Sequence, residues 1–333
     1  MTNPLLIPVD AYLVESLPTV WFGVVMFTLA MYVALDGMDF GIGMLYATRD
    51  DHDRETLLSA FGPIWDANEV WIVAFGTTLL AAFPAVYSRL LSEHYLLAIA
   101  IVMALLMRGV APELREQRDD PEWHRRCDQL FVFGSTVTPL LLGMLVGSWI
   151  FGTAVFSLPS LLTGIGLVAL CVTSGAAFLA AKTSGPLADD MVRYGMASTA
   201  TYLGGVVVLL AVVYWLNPVN VRALLMTLPA AVVVLASVIF GGGGIVAARQ
   251  GRHKLWFGAT FGLSFMLVGL IATLLYPRIY PASGLTIDAV VVSPLALNLT
   301  TILGLPVLLL VLWYFKFLYS TFAGPVDGGG YST

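Results

Sequence analysis

The chain has 333 residues, of which 59% are hydrophobic and only 11% charged, and its mean hydropathy is +0.88. Soluble domains carry about 25% charged residues, so this composition excludes a water-soluble globule and points to an integral membrane protein with room for roughly nine spans of about 20 residues each. The net charge of −5 argues against nucleic acid as a partner, and Cys127 and Cys171 lack the spacing of a disulfide framework or a thiolate metal site.

Residues 1–18 contain Asp10 and Glu15 but no Lys or Arg, so the segment lacks the basic start of a signal peptide and reads as an outer tail. Apolar runs then predict spans over 19–47, 57–82, 84–111, 129–151, 158–181, 194–216, 223–248, 255–276 and 294–321. The string Ser88, Arg89, Ser92, Glu93 and His94 reads as interfacial, and the glycine run 241–244 suggests a close helix crossing or a kink. The tail after the last span is glycine-rich and reads as loose. Loops one, three, five and seven, with their helix ends, hold Arg49, Arg54, Arg115, Arg118, Arg125, Arg126, Lys182, Arg193, Arg249, Arg252 and Lys254, against Arg89, Arg222 and Arg278 on the other face. Cationic loops stay inside, which places the N-terminus outside and the C-terminus inside.

Asp36, Asp39, Asp66, Glu69 and Arg108 fall within predicted spans, where a charge at the helix centre costs at least about 2.5 kcal/mol. Asp36 and Asp39 share one face of the first helix at i, i+3 spacing, and Asp66 and Glu69 repeat that spacing in the second. A hairpin centred near Asp51 puts Asp36 and Asp66 at similar depth, about 15–20 Å from the inner surface. Asp39 then sits one turn nearer the inside and Arg108 near the inner end of the third span, a ladder of protonatable groups rising from that side. The competing reading is structural: the acids pair with Arg108, Asn68, Trp N–H groups or a partner subunit and hold the bundle in register. Trp65 and Trp71 flank the acids and are candidates to line a cavity or pack on a flat cofactor, whereas the remaining tryptophans suit an interfacial belt. His52, His124 and His253 lie in inner loops and His94 near the outer end of a span, so no histidine pair clamps a haem at mid-membrane. No metal site and no Ser/His/Asp hydrolase set is expected.

The strings Leu35-Asp36-Gly37-Met38-Asp39-Phe40-Gly41-Ile42-Gly43 and Gly62-Pro63-Ile64-Trp65-Asp66-Ala67-Asn68-Glu69-Val70-Trp71, with Ala82-Phe83-Pro84 and Arg108-Gly109-Val110, closely resemble subunit II of the cytochrome bd family of quinol oxidases, its cyanide-insensitive branch included. One departure is Ala67, where the family usually has Gly. The resemblance implies an all-α membrane fold of nine helices: a four-helix bundle with buried acids over 19–151, an apolar second bundle over 158–276, a peripheral helix over 294–321 and a flexible inner tail over 322–333. It also implies a haem-bearing subunit I as partner, carrying two b-type haems and haem d, with quinol and dioxygen as substrates of the complex. A small single-helix accessory subunit is a further candidate partner. This chain would hold no haem of its own, although a structural quinone is bound in some members. Asp36 and Asp66 become the proton-path candidates, supported by Asp39, Glu69 and Arg108. Trp65 and Trp71 become candidates for a quinone cavity, a gas route or the subunit interface. The implied location is a prokaryotic cell membrane. Two alternatives stand beside this reading. A secondary transporter or ion channel would use Asp36 and Asp66 as coupling-ion sites but calls for matching polar segments in both halves; a purely structural assembly subunit would need neither acid for turnover.

Overall fold

The computed structural model describes residues 8–327, 330 and 331. In chain order the helices are α1 (Leu17–Tyr46), α2 (Asp51–Phe61), α3 (Trp65–Ala82), α4 (Pro84–Glu93), α5 (Tyr95–Arg115), α6 (Pro121–Phe151), α7 (Leu158–Lys182), α8 (Gly185–Leu216), α9 (Val221–Leu225), α10 (Leu228–Arg249), α11 (His253–Leu275), α12 (Ile287–Val290) and α13 (Pro294–Thr321). Two-residue strands β1 (Val326–Asp327) and β2 (Gly330–Tyr331) pair antiparallel after them. Among the described residues eight helices are long and apolar enough to cross a membrane. The remaining expected span is represented by α3, whose first five residues include Asp66, Asn68 and Glu69, so that it falls below the hydropathy of the others.

Two expected spans are broken. The stretch 57–82 divides into α2 and α3 around Pro63, because proline lacks the N–H of a continuing helix and disfavours helical backbone in the residue before it. The Asp50 side chain accepts the Asp53 N–H and starts α2. The stretch 84–111 divides at His94, where the backbone leaves helical geometry. The short α4 buries Val86 and Leu90, while Arg89 and Glu93 face outward as an ion pair at 3.7 Å. In contrast, α10 runs through glycines 241–244 without a break; Gly241 seats Leu203 and Gly244 seats Trp256.

The central element is α1, buried along nearly its whole length and packed on α3, α6, α7 and α11. An all-round apolar helix in this position needs neighbours on every side, and small residues let them approach. A Cβ built at Gly41 would lie 1.9 Å from the Cys171 carbonyl oxygen, and one at Gly175 would lie 2.5 Å from the Gly41 carbonyl carbon. The backbones of α1 and α7 therefore touch at this pair of glycines. Antiparallel pairing of α1 with α3 is marked at one end by Thr28 and Thr78, whose hydroxyls are 3.2 Å apart, and at the other by Asn68 and Asp39.

Polar contacts hold the periphery. The Asn298 amide in α13 accepts the Leu13 N–H at 2.9 Å and donates to the Pro8 and Ala11 carbonyls, and Trp21 donates its indole N–H to Thr301 at 2.8 Å. In the loop after α11, Ile279 accepts the Trp149 N–H at 2.9 Å and Tyr280 donates to Glu93 at 2.5 Å. Burial and the adjacent carboxylate push the Tyr280 hydroxyl up from its ordinary pKa, so it stays protonated as the donor. The tail expected to be loose is held at its start: Lys182 donates to the Phe322 and Gly324 carbonyls, and Val326 is buried.

Gly41→Val should cost at least about 1–3 kcal/mol, read as a lower unfolding midpoint in detergent. Gly242→Ala, where a Cβ meets nothing within 4 Å, should be neutral or slightly stabilising. Equal effects would contradict a backbone contact at Gly41.

Candidate functional site: a buried guanidinium between two carboxylates

Asp36 and Asp39 project from α1 with no exposed surface, and Arg108 reaches them from α5 with 1% exposed. The arginine can enter because α5 and α6 meet closely: a Cβ at Gly134 would lie 2.5 Å from the Ala104 carbonyl oxygen and 2.6 Å from the Arg108 nitrogen. Arg108 Nη1 stands 2.7 Å from Asp36 Oδ1, and Nη2 stands 3.7 Å from Asp39 Oδ2. Asn68 of α3 donates its amide to Asp39 at 2.8 Å and accepts the Tyr319 hydroxyl of α13 at 2.9 Å. The guanidinium carbon lies 4.4 Å from the Phe40 ring centre, with Phe61 at 5.9 Å and Trp65 at 6.0 Å, so aromatic faces cover the sides that the carboxylates leave.

The ion pairs are close, but the hydrogen-bonding capacity of the cluster is not used up. Both Asp36 oxygens, Asp39 Oδ1 and the Arg108 nitrogens have no aligned hydrogen-bond partner, and the same holds for the buried hydroxyls of Tyr32, Ser135, Thr138 and Ser174. Such groups are the ones that ordinarily take ordered water inside proteins. Tyr32 lies one turn from Asp36 on α1, a spacing that sequence reading could have used. Ser135, Thr138 and Ser174 come from α6 and α7 and carry no local signal.

Asp66, expected at a depth similar to that of Asp36, does not join the buried cluster. The break at 62–64 resets the helical phase, so Asn68 and Trp71 face α1 while Asp66 is exposed. Two residues of helix separate Asp66 from Asn68, about 200° around the axis. Glu69 is half-buried. Trp65 stacks on Phe61 with ring centres 5.7 Å apart. Trp71 packs edge-on to Phe27 at 6.2 Å and tilted on Phe315 at 5.4 Å, and its indole N–H has no partner. It borders a cavity of about 430 Å³ between α1, α3 and α13 that Trp21, Thr28, Thr78 and Thr300 also line.

Among the described residues, no group of three or more His, Cys, Asp and Glu is placed to hold a metal ion. Both His94 ring nitrogens are engaged, with Leu90 O at 3.0 Å and Ser148 Oγ at 2.9 Å, so this imidazole does not fit an axial haem ligand. A third buried acid, outside this cluster, escaped sequence reading: Asp128 on α6 accepts Tyr46 at 2.5 Å and Arg115 Nε at 3.0 Å and lies 3.4 Å from Arg54.

Arg108→Met would leave Asp36 and Asp39 without their cation, and breaking a buried pair costs about 3–5 kcal/mol. Tyr319→Phe removes one hydrogen bond, at about 0.5–1.5 kcal/mol. Denaturant unfolding in detergent should rank them in that order; a fall for Arg108→Met no larger than for Tyr319→Phe would contradict a charged cluster.

The family described as cytochrome bd terminal oxidase subunit II matches residues 17–322 of this chain. The cytochrome bd ubiquinol oxidase subunit 2 of Bacillus subtilis (strain 168) is 29% identical over 285 residues, covering 80% of this chain and 83% of the relative. The cytochrome bd-I ubiquinol oxidase subunit 2 of Escherichia coli (strain K12) is 30% identical over 192 residues, 52% of this chain and 51% of the relative. The bd oxidase structure from Geobacillus thermodenitrificans superposes with a TM-score of 0.69 at 19% identity, over 91% of this chain and 98% of that one, and shares its fold. With its helices, its buried acid–arginine cluster and this match in view, the chain belongs to the cytochrome bd terminal oxidase subunit II family, a multi-pass membrane component of an oxidoreductase complex.

Proposed function

We propose that this chain is the non-haem subunit of a quinol oxidase, that it supports a haem-bearing subunit I, and that its buried acids conduct protons from the inner side toward the site of dioxygen reduction. The observation that carries the second half is the sealed cluster of Asp36, Asp39 and Arg108. Two carboxylates against one guanidinium leave one negative charge uncompensated, and a proton on either carboxylate neutralises the group. A carboxylate that changes charge between two states of similar energy is suited to relay protons through a low-dielectric interior. The buried hydroxyls of Tyr32, Ser135, Thr138 and Ser174 have unused capacity and could be bridged to Asp36 by water. Asp66, exposed at the start of α3, and half-buried Glu69 form the entrance from the arginine-rich side, which the positive-inside rule makes the cytoplasmic one.

The chemistry of the complex sets the demand. Reducing dioxygen to two waters consumes four protons; if these come from inside while quinol protons leave outside, turnover itself builds a membrane potential. The haems, two b-type and one d, belong to subunit I in this reading, as does quinol oxidation. The Trp71 cavity between α1, α3 and α13 has the size and apolar lining to hold a structural quinone or to border a gas route or an interface. A small accessory subunit completes the proposed partners. The transporter alternative has no support from family membership, and the described helices after α7 contribute no buried acid. A structural role for the cluster has an observation in its favour, since Arg108 ties α5 to α1 while Asn68 ties α3 and α13 to the same carboxylates.

Turnover separates the two roles. In the purified complex, Asp36→Asn should lower quinol-dependent oxygen uptake roughly tenfold or more with the reduced-minus-oxidised haem spectrum unchanged. Asp66→Asn should also fall below wild type. Near-wild-type uptake by both variants with intact haem would leave only the structural role.

A further inference from the structure

Where α1, α2 and α6 meet, at the end of the bundle that carries the arginine-rich loops, a groove of about 650 Å³ opens between them. Its lining changes character along α6. Arg125, Asp128 and Gln129 stand at the polar end beside Arg54, and Val132, Phe133, Thr136 and Val137 continue the same helix face toward the membrane. From Arg125 to Val137 is twelve residues, about 18 Å of helix, a distance that suits an acyl chain below a headgroup. Phe133 is 53% exposed along this face.

The charges at the polar end do not cancel. Asp128 is saturated by Tyr46, Arg115 and Arg54, and Arg54 is also 3.2 Å from Asp51. Three guanidiniums, Arg54, Arg115 and Arg125, thus face two carboxylates. The surplus cation is Arg125, exposed and without an ion pair among the described residues. Its neighbour Arg126 differs, being paired with Glu122 at 2.5 Å.

We propose that this groove binds an anionic phospholipid, its phosphate held by Arg125 with Gln129 and Arg54 beside it and one acyl chain lying on Val132, Phe133 and Val137. Guanidinium forks match phosphate oxygens, and basic pockets between helices on the cytoplasmic side suit anionic headgroups. A zwitterionic lipid would bring its own cation next to Arg125 and lose that advantage. The site stands apart from the Arg108 cluster and does not depend on proton conduction there.

The test uses the intact oxidase complex, delipidated in mild detergent and titrated with phosphatidylglycerol, phosphatidylcholine or inorganic phosphate, with bound lipid read by native mass spectrometry. Phosphatidylglycerol should be retained over phosphatidylcholine. Arg125→Ala should weaken its retention about fivefold, while Arg126→Ala leaves it unchanged. Equal retention of both lipids, or no change in Arg125→Ala, overturns the proposal. Displacement of the lipid by millimolar phosphate would reduce the site to one for a free anion and also overturns it. Loss of subunit I from Arg125→Ala with lipid retention intact would assign the groove to the subunit interface instead.

Discussion

One arginine and two aspartates share a volume buried inside a helix bundle, and the packing of the first half of the chain follows from keeping them together. An isolated charge in that position would be prohibitive. Arg108, Asp36 and Asp39 are tolerable because each lies against the others and because Phe40, Phe61 and Trp65 cover the guanidinium. This arrangement obliges α5 to approach α1, and it gives Asn68 a reason to be a buried polar residue that also accepts the Tyr319 hydroxyl.

Close approach is the second requirement, and glycine provides it. At Gly41 and Gly175 the backbones of α1 and α7 are in contact, and at Gly134 the backbone of α6 sits on α5 beside Arg108. In a membrane, where lipid tails compete equally for apolar side chains, such contacts supply the packing energy that burial supplies in water. Rigidity at these crossings matters to the carboxylates, since a shift of one helix by an ångström would separate charges now within 2.7 and 3.7 Å. In the proposed reading the same cluster serves as a clamp and as a proton relay: position comes from the helices, and charge varies while position does not.

At the arginine-rich end the chain handles charge differently. There Asp128 is tied down by buried Tyr46 and by two partly exposed arginines, Arg54 and Arg115, and cations outnumber acids around an open groove. The sealed cluster has one more carboxylate than cation, whereas the groove has one more cation than carboxylate. The first suits a proton and the second an anion.

Composition and apolar run length were enough to establish a polytopic membrane protein, because about 20 apolar residues in succession have few other uses. Asp36, Asp39 and Arg108 were legible for the same reason: a charge inside an apolar run is too costly to be incidental. The Asp-Gly-x-Asp and Trp-Asp-x-Asn-Glu strings carried the family resemblance. Sequence could not give the phase of α3, since the break around Pro63 decides which of Asp66, Asn68 and Glu69 turns toward α1, and a break of three residues admits several rotations. Nor could it bring Tyr319 to Asn68 across 251 positions, or collect Tyr32, Ser135, Thr138 and Ser174 as buried hydroxyls without partners. A linear pattern reports the cost of placing a residue in a membrane; which groups share that cost depends on helix rotation and crossing, and those are decided by contacts between segments far apart in the chain.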